Sequence, residues 1–286
     1  MIGIMRNHKA FTMLELIFAI IILGIVSSIG ASIIAQVYKS YIIQRAQYRA
    51  NIKTELAINQ IANRLRYAIP YTVGIRKTTI SDTFEDITTT DKEDVKVLQW
   101  VGYDGDGFEA INSGVASGLT RRPAWSGFCD VNATIHAVGP TLSTPGSNLD
   151  LASTIIGNLG GSLSQSVIYF GDYNGVSYGV ASGTGETLTL DSVFPTGTLI
   201  SERYKLAWSG YALAVDSSGN LNLYYNFDPT AKAAIGTQHN VPLLRDVTNF
   251  RFKYSGGVFR IKICKKERIG SDANATIHAC KEKVVF

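Results

Sequence analysis

The sequence predicts an α+β protein, with a long N-terminal helix that leads into a head of antiparallel β-sheet. Three observations predict it. Residues 16–38 carry no charge, and roughly 20 apolar residues are enough for a helix to span a bilayer. No proline occurs between Phe11 and Ile69, and Pro70 then supplies a stop, because proline lacks the N–H and clashes with the preceding turn. Beyond residue 70 the chain changes to short β-branched and aromatic runs bounded by Gly, Asn, Asp and Pro, the composition of strands and turns.

A continuous helix over residues 11–69 would be ~88 Å long at 1.5 Å per residue. Its outer half is amphipathic: Ile58, Ile61, Ala62, Leu65 and Ile69 recur at helical spacing while Arg64 and Arg66 fall off that face, so one side is expected to cover a head. Its inner half has no polar face. Gly24 and Gly30 lie within that half, where glycine permits close helix approach or local melting.

In the head, residues 95–103, 166–170, 188–190, 221–227, 248–254 and 258–264 read as strands, with 281–286 as a final edge strand. The clearest hairpin is Phe250-Arg251-Phe252-Lys253-Tyr254, a Ser255-Gly256-Gly257 turn, and Val258-Phe259-Arg260-Ile261-Lys262-Ile263. Both arms alternate apolar and basic residues, so one face is buried and the other is a cationic solvent face. Residues 110–197 are rich in Gly, Ser, Thr and Asn, which predicts long loops.

The start of the chain is the most specific feature. Lys9-Ala10-Phe11-Thr12-Met13-Leu14-Glu15 runs into the apolar stretch and leaves one carboxylate, Glu15, at its lip. An isolated carboxylate in hydrocarbon is costly and calls for a partner. A secretory signal would be cut after the apolar core, near Ser27 to Ser32. An uncleaved anchor would place Arg6 and Lys9 in the cytoplasm. A buried core helix would rarely run this far without polar relief. None of the three explains Glu15 and the Phe11-Thr12 start together.

The segment resembles the class III signal and hydrophobic stalk of type IV prepilins and pseudopilins. That resemblance implies cleavage after Ala10 by a prepilin peptidase, methylation of the new N-terminus Phe11, and retention of Glu15 to neutralise the free amine of a neighbouring subunit. Such a pairing offsets the desolvation of both charges and sets the stagger between subunits. The family usually has Gly before the cut, where this chain has Ala10. The implied layout is a leader at 1–10, a transmembrane half-helix at 11–38, an amphipathic half at 39–70 and a β-rich head at 71–286. The head size and the Asn63-Arg64-Leu65-Arg66-Tyr67-Ala68-Ile69-Pro70 stretch resemble the larger minor subunits, the J-type pseudopilins and W-type minor pilins. The implied role is structural, in a type IV pilus or a type II secretion pseudopilus. The protein would sit in the inner membrane as a single pass, with its head in the periplasm, before entering a filament. Implied partners are other pilin or pseudopilin subunits, the peptidase, an inner-membrane assembly platform and membrane lipid. The alternative is a single-pass surface-binding protein, an adhesin or sensor, with an uncleaved anchor.

With 286 residues, net charge +4 and 45% hydrophobic residues, the chain keeps ample length for a head with its own core, and room for two subdomains. The charge is uneven: +5 over residues 36–69, −8 over 71–240 and +6 over 241–286. Complementary subunit surfaces account for this in a polymer-forming protein, ahead of an acidic or nucleic-acid partner. Three cysteines are present, and disulfides persist beyond the membrane. Cys264 and Cys280 flank a charged stretch and are the first candidate pair, worth ~3 kcal/mol on chain entropy. Three single bridges are open, and Cys129 would be left over.

Asp104-Gly105-Asp106-Gly107-Phe108-Glu109 resembles the start of a calcium loop, with Asp104, Asp106 and Glu109 as oxygen donors. The twelve-residue EF-hand pattern is absent, and a solvated acidic turn is the plainer reading. The hexapeptide Asn-Ala-Thr-Ile-His-Ala occurs at 132–137 and 274–279, each copy with Asp two residues before the Asn. Asn132 and Asn274 are therefore candidate N-glycosylation sites in exposed loops, with coincidence as the alternative. No GxSxG, HExxH or phosphate-cradling Gly-rich loop occurs, so no enzyme is expected. The basic and aromatic residues of 250–266 read as the solvent side of a strand pair, and nucleic acid is not the expected partner.

Overall fold

The computed structural model describes residues 12–87, 95–110, 122–135, 139–171, 177–194, 200–255, 258–270 and 275–285. Helix α1 (Met13–Leu65) is one 53-residue element. Thr12 opens it, with its carbonyl accepting from Leu16 N at 3.2 Å and its hydroxyl from Glu15 N at 3.3 Å. The helix ends at Leu65, short of the Pro70 stop. Tyr67 N and Ala68 N bond back to the carbonyls of Arg64 and Leu65, and Ile69 N turns outward to Val101 O at 2.9 Å. Tyr103 N then donates to Tyr67 O, so strand pairing takes over where a further helical turn was expected.

The chain forms two compact units. The first comprises residues up to Arg49 together with Glu267–Ile277. Here Arg49 lies 3.9 Å from Glu267, Ala46 is fully buried, and Ile42 stands 3.7 Å from where a Cβ on Gly270 would lie. Gly270 has φ +63°, a left-handed turn residue that costs glycine nothing.

The second unit, Ala50–Lys266 with His278–Phe286, holds the sheets. Six antiparallel strands run in the order β11-β10-β9-β3-β1-β2, comprising β1 (Gly74–Arg76), β2 (Glu85–Asp86), β3 (Val97–Gly102), β9 (Ser209–Val215), β10 (Leu221–Phe227) and β11 (Asn240–Leu244). A three-stranded sheet contains β12 (Val247–Ser255), β13 (Val258–Arg268) and β14 (Thr276–Val285) in sequence order. The predicted face of α1 is apolar for the expected reason. Ile58, Ile61, Ala62 and Leu65 share one core with Leu98, Trp100 and Leu213 of the first sheet and with Ile261 and Ile263 of the second.

The predicted hairpin forms in register, with Phe250 opposite Ile263, Arg251 opposite Lys262 and Phe252 opposite Ile261. Ile261 and Ile263 are fully buried while Arg251, Lys253, Arg260 and Lys262 are exposed. The charged stretch between the two cysteines is strand at both ends, since β13 continues to Arg268 and β14 starts at Thr276.

The expectation of long loops over 110–197 needs correction. That region contains α3 (Val131–Ile135), β4 (Thr141–Ser143), α4 (Leu149–Asn158), β5 (Val167–Phe170), β6 (Ser177–Thr184) and β7 (Thr187–Leu190). With β8 (Tyr204–Ala207), its strands form a five-stranded antiparallel sheet in the order β4-β7-β6-β5-β8. Asn148 caps α4 by accepting from Leu151 N at 3.2 Å, and Leu149, Ala152 and Ile156 are buried along one face. They join a second core with Trp125, Ile168, Leu188 and Leu206. Gly and Ser fall inside these elements as well as between them, as with Gly179 and Gly183 in β6 and Gly157 in α4, and their abundance masked the apolar spacing.

Candidate functional site

Glu15 lies in the first turn of α1, where a carboxylate is favoured by the unpaired backbone N–H groups and the positive end of the helix dipole. It is the only charge among the described residues before Lys39. Around it the side chains of Met13, Leu14, Leu16, Ile17 and Phe18 are open, and exposure of large apolar residues continues through Val37. A Cβ added to Gly24 or Gly30 would meet nothing within 4 Å, so neither glycine serves packing inside this chain. By length and composition α1 is long and apolar enough to cross a membrane. Such a surface needs lipid or other helices to cover it. Ala10 and Phe11 lie outside the described residues.

Residues 5–31 match the family model described as a prokaryotic N-terminal methylation motif. The chain has the N-terminus of the type IV pilin and pseudopilin family. No curated protein and no solved structure matches it. A pilin-type N-terminus implies a prepilin peptidase and other pilin subunits as general partners, in a family that is structural rather than enzymatic.

Elsewhere in the chain, Asp104, Asp106 and Glu109 are placed by α2 (Gly105–Glu109). Asp104 is buried; its carboxylate accepts from Gly107 N and from the indole N–H of Trp125, each at 3.1 Å. Burial pushes its pKa above the ordinary carboxylate range, against the pull of those hydrogen bonds. Glu109 accepts from the Tyr67 hydroxyl at 3.0 Å, and Asp106 is exposed. Among the described residues, no three His, Cys, Asp or Glu side chains gather as a metal site. The two glycines are required by packing: a Cβ on Gly105 would stand 2.3 Å from the Tyr67 ring, and one on Gly107 would stand 2.1 Å from Asp104 Oδ2.

Cys264 and Cys280 are bonded to each other, with Cα atoms 4.0 Å apart. Cys129 is buried and free, and desolvation raises its thiol pKa, which keeps it in the unreactive form. Asn132 is exposed on α3, whose first turn is capped by Asp130 accepting from Ala133 N at 2.9 Å. Thr134 is buried, and its hydroxyl accepts from Ser143 N at 3.1 Å. Asn274 lies outside the described residues.

Sequence reasoning did not single out Arg76. Its guanidinium donates to Gln99 Oε1 at 2.9 Å, to Ala233 O at 2.9 Å and to Asp82 O, although the residue is only 7% exposed. Gln99 also donates to Ala233 O, at 2.8 Å. This network ties β1 and β3 to the loop after β10. The nearest signal in the sequence was Ile75 before Arg76 and Lys77 after it, a pattern that reads as solvent exposure.

Proposed function

We propose that this protein is a minor pilin or pseudopilin subunit, cleaved after Ala10, methylated at Phe11 and assembled through its stalk into a type IV pilus or type II secretion pseudopilus. The reading rests on one conjunction: a methylation motif over residues 5–31 continuous with a helix whose large apolar residues from Met13 to Val37 are open to their surroundings. Glu15 is the residue assigned to the amine of a neighbouring subunit, because that pairing relieves two desolvated charges at once. The apolar surface passes from lipid to the stalks of neighbours, and the head stays in the periplasm or at the filament. The Cys264–Cys280 bridge fits that compartment, since disulfides persist outside the reducing cytoplasm. A head with two cores is bulky for a repeating filament, which favours a minor subunit of the J or W type.

The test is the intact mass of the membrane-extracted protein. A methylated N-terminus at Phe11 is the expected result. An N-terminus at Met1 would instead indicate an uncleaved anchor, and cleavage beyond the apolar core a secreted protein without a stalk.

A further inference from the structure

A groove of about 750 Å³ opens in the head beside α2, and it does not depend on the role proposed for the stalk. Trp125 and Tyr204 are locked at its base, 2% and 3% exposed, with ring centroids 5.7 Å apart. Phe108 stands against Trp125 with a centroid distance of 4.9 Å but keeps 44% of its surface open. Tyr103 meets both Phe108 and Trp125 edge-on, at 6.5 and 6.2 Å. The arrangement is held from behind: Asp104 fixes the indole, and Gly127 has φ +68° with room for a Cβ only at 3.4 Å from both rings.

Two cations, Lys205 and Arg203, and one carboxylate, Glu202, are among the described residues that line this aromatic groove. Lys205 Nζ lies 5.1 Å from the Tyr103 ring centroid, and the residue is half-buried. Its pKa is lowered by burial, with no carboxylate contribution. Among the described residues it makes no ion pair. Glu202 and Arg203 stand at the mouth, both exposed. A half-desolvated ammonium over a ring gains from the ring quadrupole but gains more from a carboxylate, which restores the hydrogen bonds and charge lost to burial.

We propose that this groove binds an extended polypeptide segment, with an aromatic or large aliphatic side chain against Phe108 and a neighbouring carboxylate on Lys205. The volume suits one large side chain with its flanking backbone. The lining favours a segment that carries both a large apolar side chain and a carboxylate, because an open aromatic ring stands beside a half-buried ammonium in one groove. An extended peptide supplies the two from adjacent residues.

The full chain in nanodiscs can be titrated calorimetrically with N-acetyl-phenylalanine and with its neutral amide. The acid should bind about tenfold more tightly than the amide, the factor expected of a charge-assisted hydrogen bond. Lys205→Gln should abolish that preference, while Phe108→Leu and Phe108→Ala weaken both probes together. Lys262→Gln, on the exposed strand face, should change neither. Equal affinity for acid and amide, a preference that survives Lys205→Gln, or no saturable binding would overturn the proposal. Methyl glucuronoside binding more tightly than the acid would also overturn it and make the groove a saccharide site.

Discussion

The indole N–H of Trp125 is shared between two oxygens of one residue, the backbone carbonyl of Asp104 at 2.9 Å and its carboxylate at 3.1 Å. Because the same carboxylate caps α2 through Gly107 N, a single buried acid fixes both a short helix and the base of the aromatic groove. Asp104→Ala should destabilise the head by about 1–3 kcal/mol, since it removes the cap and one acceptor of a buried donor. Denaturant unfolding followed by tryptophan fluorescence would measure this, and Asp104→Asn should recover part of the loss.

The same residue predicts a pH dependence. Burial raises the Asp104 pKa, so the folded chain holds that proton more firmly than the unfolded one. Its contribution to stability is complete below the unfolded-state pKa and is lost as pH rises through the elevated folded value. Unfolding midpoints collected from mildly acidic to neutral pH should show this decline, and Asp104→Asn should flatten it.

Asp82 predicts the opposite sign. Its carboxylate accepts from Thr78 N at 2.7 Å, and from Thr79 N and both threonine hydroxyls at 2.9 Å. These bonds hold its pKa well below the carboxylate range. Stability from this turn is present above the ordinary carboxylate pKa and is lost as pH falls through the folded value. Amide protection factors at Thr78 and Thr79, taken relative to the intrinsic rate at each pH, should fall on strong acidification, and Asp82→Asn should exchange faster already at neutral pH. Unchanged exchange in the variant would show that the carboxylate does not hold the turn.

The Cys264–Cys280 bridge joins positions 16 residues apart, and the chain-entropy relation assigns a loop of that size about 3 kcal/mol. Replacing both cysteines with Ser should lower unfolding stability by about that amount. Reductant should bring the native chain to the same value and leave the variant unmoved. Cys129, buried with a raised thiol pKa, should resist alkylation until the head unfolds.

Glu15→Ala should leave the protein inserted in the membrane but exclude most of it from filaments. Quantifying membrane and sheared-filament fractions checks this. Incorporation at native levels would remove the charge pairing from the proposed assembly step.

Much of the architecture was readable because it rests on local periodicity. The uncharged run into α1, the apolar stripe from Ile58 to Leu65 and the alternation in β12 and β13 each repeat over enough residues to report their own environment. Between residues 141 and 190, β5 and β7 were readable as short apolar runs, whereas β4, β6 and α4 were not. The apolar residues of those three come in runs among Gly, Ser and Thr too short to establish a period.

Asp104-Gly105-Asp106-Gly107-Phe108-Glu109 marks the boundary between these cases. As a string it offers alternating carboxylates and flexible glycines, which suit a cation. In the fold, Trp125 and Tyr67 arrive from distant sequence and engage two of the three acids. Helix identity, hairpin register and the methylation signal follow from neighbours along the chain. Which acid is buried, which lysine loses its water, and where α1 gives way to pairing with β3 depend on partners far away in sequence. Desolvation and hydrogen bonding are settled by whatever surface arrives opposite a group, and that surface exists only once the chain has folded.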